Sequence, residues 1–196
     1  MRSLLVLLIV AGATSGCSFD EAEVPSALQA IDAVRACPIP EVDTIPGHES
    51  EFYRCAELHA DGGQGCGPDG YLIGYGARYA ERFYQRARPR MSPRGRQWID
   101  DVLVCLQRTL RESIDASTSC EEIRDIAFDS HPICYVDAGF CRLPVLDVLH
   151  VVWTIDASDW FGTDAARQAV RTAIACGREH ADAMHAQFGY LIDESR

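Results

Sequence analysis

Apolar positions along this chain recur mostly at intervals of three and four, which puts them on one side of an α-helix. Val24, Leu28, Ile31 and Val34 form the first such series, with Pro25 suited to an opening helical turn. Pro38, Pro40, Pro46 and Gly47 then break the pattern, and residues 59–70, with five glycines, read as a loop. Leu72, Tyr75, Tyr79 and Phe83 make a second stripe, interrupted at Arg88-Pro89-Arg90-Met91. There Ser92 is suited to cap the next helix and Pro93 to open it. In that helix Trp98, Val102, Cys105, Leu106, Thr109 and Leu110 share a face, while Arg96, Asp100, Asp101, Arg108 and Arg111 fall elsewhere.

Ser119-Cys120-Glu121-Glu122 has the capping-box pattern and leads into Ile123, Ile126 and Ala127, with Pro132 expected to end the helix. Leu143 to Ile155 is apolar on nearly every side, which predicts a central position. Gly162-Thr163-Asp164 opens the last helix, with Ala169, Val170, Ala173, Cys176 and Met184 expected to face inward. Strand-like alternation is almost absent. The pattern predicts an all-α fold, a disulfide-stapled array of about six helices.

The first residues change the picture. Arg2 precedes a short apolar run, Leu4 to Val10, which is too short to span a bilayer and reads as a secretory signal over residues 1–16. Thr14-Ser15-Gly16-Cys17 resembles a bacterial lipobox, so Cys17 is the expected lipidated residue; the alternative is cleavage after Ala13 with Cys17 left free. Residues 17–23 are acidic and read as a tether, and 24–196 as one helical domain. The expected location is the bacterial cell envelope or the extracellular space, with membrane attachment only through Cys17. The chain carries 29 acids against 18 bases, all arginine, and no asparagine. Missing lysine and asparagine codons point to a GC-rich bacterial genome. A net charge of −11 disfavours nucleic acid as a partner.

Of nine cysteines, eight remain once Cys17 is set aside, an even number that suits a closed disulfide set in an exported chain. Several stretches around them stand out: Phe52-Tyr53-Arg54-Cys55, Cys66-Gly67-Pro68-Asp69-Gly70, Gly95-Arg96-Gln97-Trp98 before Leu103-Val104-Cys105, and Cys134-Tyr135. With the spacings from Cys120 to Cys134, Cys141 and Cys176, they resemble the stanniocalcin family of secreted helical glycoprotein hormones, over residues 37–176. The resemblance implies pairing of Cys37 with Cys55, Cys66 with Cys120, Cys105 with Cys134, and Cys141 with Cys176. It also implies hormone-like signalling or a protease-inhibitor role, exerted by binding another protein. Two features depart from the family. N-glycosylation is excluded, and Glu81 stands near a position where the family has a further cysteine. Only 20 residues follow Cys176, so a disulfide dimer is not expected.

No Gly-x-Ser-x-Gly elbow, His-Glu-x-x-His pair or phosphate loop occurs. His131, between Ser130 and Pro132, would need an acid such as Asp129 to act as a base, and reads instead as a helix-terminal histidine. His180 and His185 do not share a helical face. Asp156, Ser158, Asp159 and Asp164 cluster without the spacing of an EF-hand. No enzymatic activity, cofactor or metal is therefore expected. The remaining candidate is an arginine segment, Arg78, Arg82, Arg86, Arg88, Arg90, Arg94 and Arg96, as an anion or partner patch, with Glu81 the one acid in its window. The expected function is binding of an unidentified protein; the competing reading is a small disulfide-rich helical hydrolase or a lipid-binding envelope lipoprotein.

Overall fold

The computed structural model describes residues 34–39, 46–160 and 167–179. The signal, the tether, Cys17, Asp164, His180, Met184 and His185 lie outside them. Among the described residues the structure is helical, with no strand. Helix α1 is Glu51–Gly63; its regular turns stop at Ala60, and Asp61 and Gly62 follow with φ of 51° and 69°. Gly63, Gly65 and Gly67 also take positive φ, so the glycine-rich stretch is a loop because its backbone needs left-handed conformations.

Three consecutive stretches, Tyr71–Ala77, Arg78–Arg82 and Phe83–Ala87, run on without a break and together form α2, the first and last with wide π-type turns. A methyl group on Gly76 would sit 2.6 Å from the Tyr53 ring, so this glycine is what lets α1 and α2 approach. A short 3-10 turn, Arg88–Arg90, leads to Ser92, whose hydroxyl accepts from the Gly95 N–H at 3.2 Å. Pro93 then opens α3, Pro93–Ser113. Both capping expectations hold here, and again at α4, Cys120–Asp137, where Ser119 and Glu122 form a reciprocal capping box.

Three expectations about helices do not hold. Pro132 lies inside α4 and does not end it. Proline costs the helix one N–H, but Pro132 is buried and Cys134 just beyond it is tied to Cys105 of α3, so packing and a covalent link hold the last turns. The apolar segment after Pro144 forms α5, Val145–Thr154, at the periphery, with Val145, Leu146 and Trp153 exposed at 76%, 70% and 69%. Its anchor is polar: the buried Asp147 carboxylate accepts from the Ser92 N–H at 2.9 Å and the Ser92 hydroxyl at 2.5 Å, at the start of α3.

The third is the last helix, α6, residues 167–179. It turns Gln168 and Thr172 inward and leaves Ala169, Val170 and Ala173 exposed, with Cys176 half-buried. The Cys141–Cys176 disulfide sets this rotation, since Cys176, Thr172 and Gln168 are spaced by four and share a face.

The central element is α3. Trp98, Ile99, Val102, Leu103, Leu106 and Leu110 are all buried, and so is Gln107, which donates to the Glu49 carbonyl at 3.0 Å. Four disulfides staple the array: Cys37–Cys55, Cys66–Cys120, Cys105–Cys134 and Cys141–Cys176. These are the same four pairs that the stanniocalcin resemblance implies. Loop-closure entropy assigns each about 3–4 kcal/mol as an upper guide. They fit an exported protein. No described helix is long and apolar enough to cross a membrane.

Candidate functional site

The arginine segment runs along α2, through the 3-10 turn and into α3, and the fold divides it into two groups. Arg78, Arg82 and Arg88 are ion-paired. Arg78 reaches Asp159 at 2.5 Å and Arg82 reaches Asp156 at 2.6 Å, both acids lying just after α5. Tyr79 lies between them, donating its hydroxyl hydrogen to Asp159 and accepting from the Asp156 N–H, with both guanidinium groups over its ring. Burial, then the bond to Asp159, pushes the Tyr79 phenol up to about 12. The Arg82 hydrogen bond holds the Asp156 carboxyl below its ordinary range. Arg88 makes a two-pronged contact with the buried Asp100, 2.7 Å to each oxygen, and lies 5.0 Å over the Tyr84 ring. This pair joins the end of α2 to α3 and serves the fold.

Arg86, Arg90, Arg94 and Arg96 have no carboxylate partner among the described residues. Arg90 donates to the Arg86 carbonyl, Arg94 to that of Arg142 at 3.0 Å, and Arg96 to that of Met91 at 2.8 Å. Such bonds orient a guanidinium without neutralising it. Glu81 turns the other way, to Arg54 of α1 at 2.7 Å, so the local acid leaves the cluster uncompensated.

Arg82, Arg86 and Arg90 form one wall of a cleft of about 320 Å³. The other wall is α5, with His150, Trp153 and Thr154, and Asp156 at one end. Trp153 meets the His150 ring edge-on at 5.9 Å and is exposed, so an indole face borders two uncompensated cations. The arrangement suits an anionic group beside an apolar or aromatic one: guanidinium groups supply paired N–H donors, and indole supplies area. The sequence alone placed Trp153 in the core because its neighbours are apolar, and so missed this wall.

The other candidates are accounted for by structural contacts. His131 lies buried within α4, its Nδ1 2.7 Å from the Ala127 carbonyl, and burial pushes its pKa down to about 4. Its suggested acid, Asp129, pairs with Arg171, so no acid–base couple forms. Asp156 and Asp159 are occupied by arginines. The sulfurs of Cys37 and Cys55 lie near His59, but they form a disulfide and are not thiolate ligands. No family model, curated protein or solved structure matches the chain.

Proposed function

We propose that this chain is an exported, non-enzymatic, stanniocalcin-like binding protein, lipid-anchored through Cys17, that captures an acidic face of a partner protein. The observation that carries the reading is the Arg86–Arg90 pair, without a carboxylate partner among the described residues, beside exposed Trp153 on a chain of net charge −11. A positive cleft in a negative field focuses attraction locally and speeds encounter with an acidic surface. The stanniocalcin resemblance supports protein capture as the mode of action, with hormone-like or protease-restraining behaviour as the form it takes.

Retention of the mature domain on a sulfated-polysaccharide column tests the reading. Wild-type protein is expected to elute late and in a salt-dependent way, and Arg86→Gln/Arg90→Gln to elute near the void with unchanged stability. Arg82→Gln is the control: its ion pair is partly exposed, so it costs up to about 1 kcal/mol of stability. Salt-insensitive elution of wild-type protein defeats the reading.

A further inference from the structure

A helix at a protein surface ordinarily turns polar residues to water, and α5 does not. At about 100° per residue, Val152, Val145, Leu149, Trp153 and Leu146 fall on one arc of roughly 120°. Val145, Leu146 and Trp153 are largely exposed on it, and Leu149 is half-buried. Asp147, the one acid of the helix, points the other way, to Ser92. On one side of the arc lies α6: Val152 shares a hollow of about 160 Å³ with Ala169 and Ala173, so apolar surface continues from one helix to the next. On the other side are arginines. Arg86 and Arg90 stand against His150 and Trp153 toward the end of α5. Arg94 binds the Arg142 carbonyl at 3.0 Å, just before its start. All three are exposed, and none has a carboxylate partner among the described residues.

Resting on the reading of the arginine cleft as a protein-capture site, we propose that α5 and its arginine edge bind an amphipathic helix of the partner, one with an apolar stripe and acids along one flank. The 10 residues of α5 give about three turns of contact. An apolar face of this kind is a docking surface for another helix, packed side by side. The arginines lie along one edge of the apolar arc and at both ends of α5, so the occupant must carry apolar and acidic positions next to each other along its length. A helix does so, because residues three and four apart are neighbours on its surface. A strand does not, since alternate side chains point to opposite faces. An anionic bilayer spreads its charge over a plane and meets the field of a chain of charge −11, whereas one helix sets a few acids against the arginines alone.

The probes are two fluorescein-labelled peptides of one composition and about five helical turns. One carries leucines at helical spacing with glutamates along one flank; in the other the same residues are permuted so that no stripe forms. Both are titrated into the mature protein and followed by fluorescence anisotropy. The striped peptide is expected to bind about tenfold more tightly, less than full burial of one leucine side chain supplies. Val145→Ser/Leu146→Ser is expected to bring the two affinities together, and the comparison in wild-type protein holds even where that variant fails to fold. Equal affinities in wild-type protein that still elutes late from the sulfated-polysaccharide column overturn this proposal and spare the capture reading; early, salt-insensitive elution defeats both. Binding of the Cys17→Ser protein to phosphatidylglycerol vesicles, with neither peptide bound, assigns the face to a lipid surface. Sedimentation that shows a dimer lost in Val145→Ser/Leu146→Ser assigns it to a second copy of the chain. Either result overturns the proposal.

Discussion

Gly95 is the position where a single methyl group has the most legible cost. It lies in the first turn of α3, and an alanine Cβ would stand 2.6 Å from the Asp147 Oδ2 atom, 2.7 Å from its Cγ and 2.9 Å from the Met91 Cβ. Replacing glycine by alanine within a helix ordinarily gains about 1 kcal/mol. Here the carboxylate must retreat, and its two hydrogen bonds from Ser92 fix α5 to the start of α3. Bonds to a charged group are worth about 1.5–3 kcal/mol each. Weakening both outweighs the helical gain, for a net loss of about 2–4 kcal/mol. In a domain of this size that is a fall of roughly 5–10 °C in Tm.

Gly177→Ala supplies the opposite case, because nothing lies within 4 Å of the added Cβ. It is expected to gain up to about 1 kcal/mol. Thermal unfolding by circular dichroism, run on both variants with disulfides intact, reads the two signs directly. Asp147→Ala closes a double-mutant cycle: with the carboxylate gone, Gly95→Ala should cost much less than it does alone. A Gly95→Ala protein as stable as wild type would refute the steric reasoning, as would equal costs in the two backgrounds.

Three further outcomes are expected. Between the ordinary histidine value of 6.5 and the folded value of about 4 for His131, the unfolded chain holds a proton that the folded chain does not. Stability therefore rises with pH across that window, by about 3 kcal/mol at full effect, and is lost as pH falls. An imidazole NMR titration of His131 with a midpoint near 6.5 would contradict this. Asp100→Asn leaves Arg88 without its charge partner at the junction of α2 and α3 and is expected to cost about 2 kcal/mol in urea unfolding; a change below 0.5 kcal/mol, the usual ceiling for an exposed site, counts against a role for the pair in the fold. Cys17→Ser is expected to release soluble protein or block processing, and an intact mass showing an unlipidated chain that begins at Thr14 would exclude the anchor.

What the sequence disclosed and what it concealed divide along one physical line. Local rules succeed where the local backbone decides. Ser92 and Pro93 open α3, Ser119 and Glu122 cap α4, and the glycines after Asp61 take the left-handed conformations that make a loop. Helical periodicity alone also sufficed for the all-α class. The failures lie where long-range links decide. A disulfide to Cys105 carries α4 through Pro132, a buried carboxylate pins α5 at the surface, and the Cys141–Cys176 bridge rotates α6 against its apolar stripe.

The arginine segment shows both behaviours. Its cluster of charge was plain in the sequence, but its division was not. Asp156 and Asp159, 74 to 81 residues away from the arginines they bind, neutralise Arg82 and Arg78. Only the fold shows that, among the described residues, Arg86 and Arg90 are left without a carboxylate. A surplus of like charge in a window with one acid is the signal that distant partners are required, and the acidic cluster after α5 was the other half of it.

The residues that carry the stanniocalcin resemblance and the residues of the proposed site are nearly disjoint. Tyr53 packs against Gly76; Gly67 takes a positive φ; a methyl group on Gly70 would stand 2.5 Å from the Cys66 Cβ; Trp98 is buried and donates to the Tyr135 carbonyl. Each holds a turn, a close approach or a disulfide in place. Such positions tolerate few alternatives because a wrong side chain there costs several kcal/mol, whereas a surface arginine changes at almost no cost to stability. A frame of this kind specifies how helices are stapled and leaves the chemistry of the surface free to vary. Under the proposed function, partner choice rests on Arg86, Arg90 and Trp153, which can be altered without disturbing the frame, so the fold and the binding reading stand or fall in separate experiments.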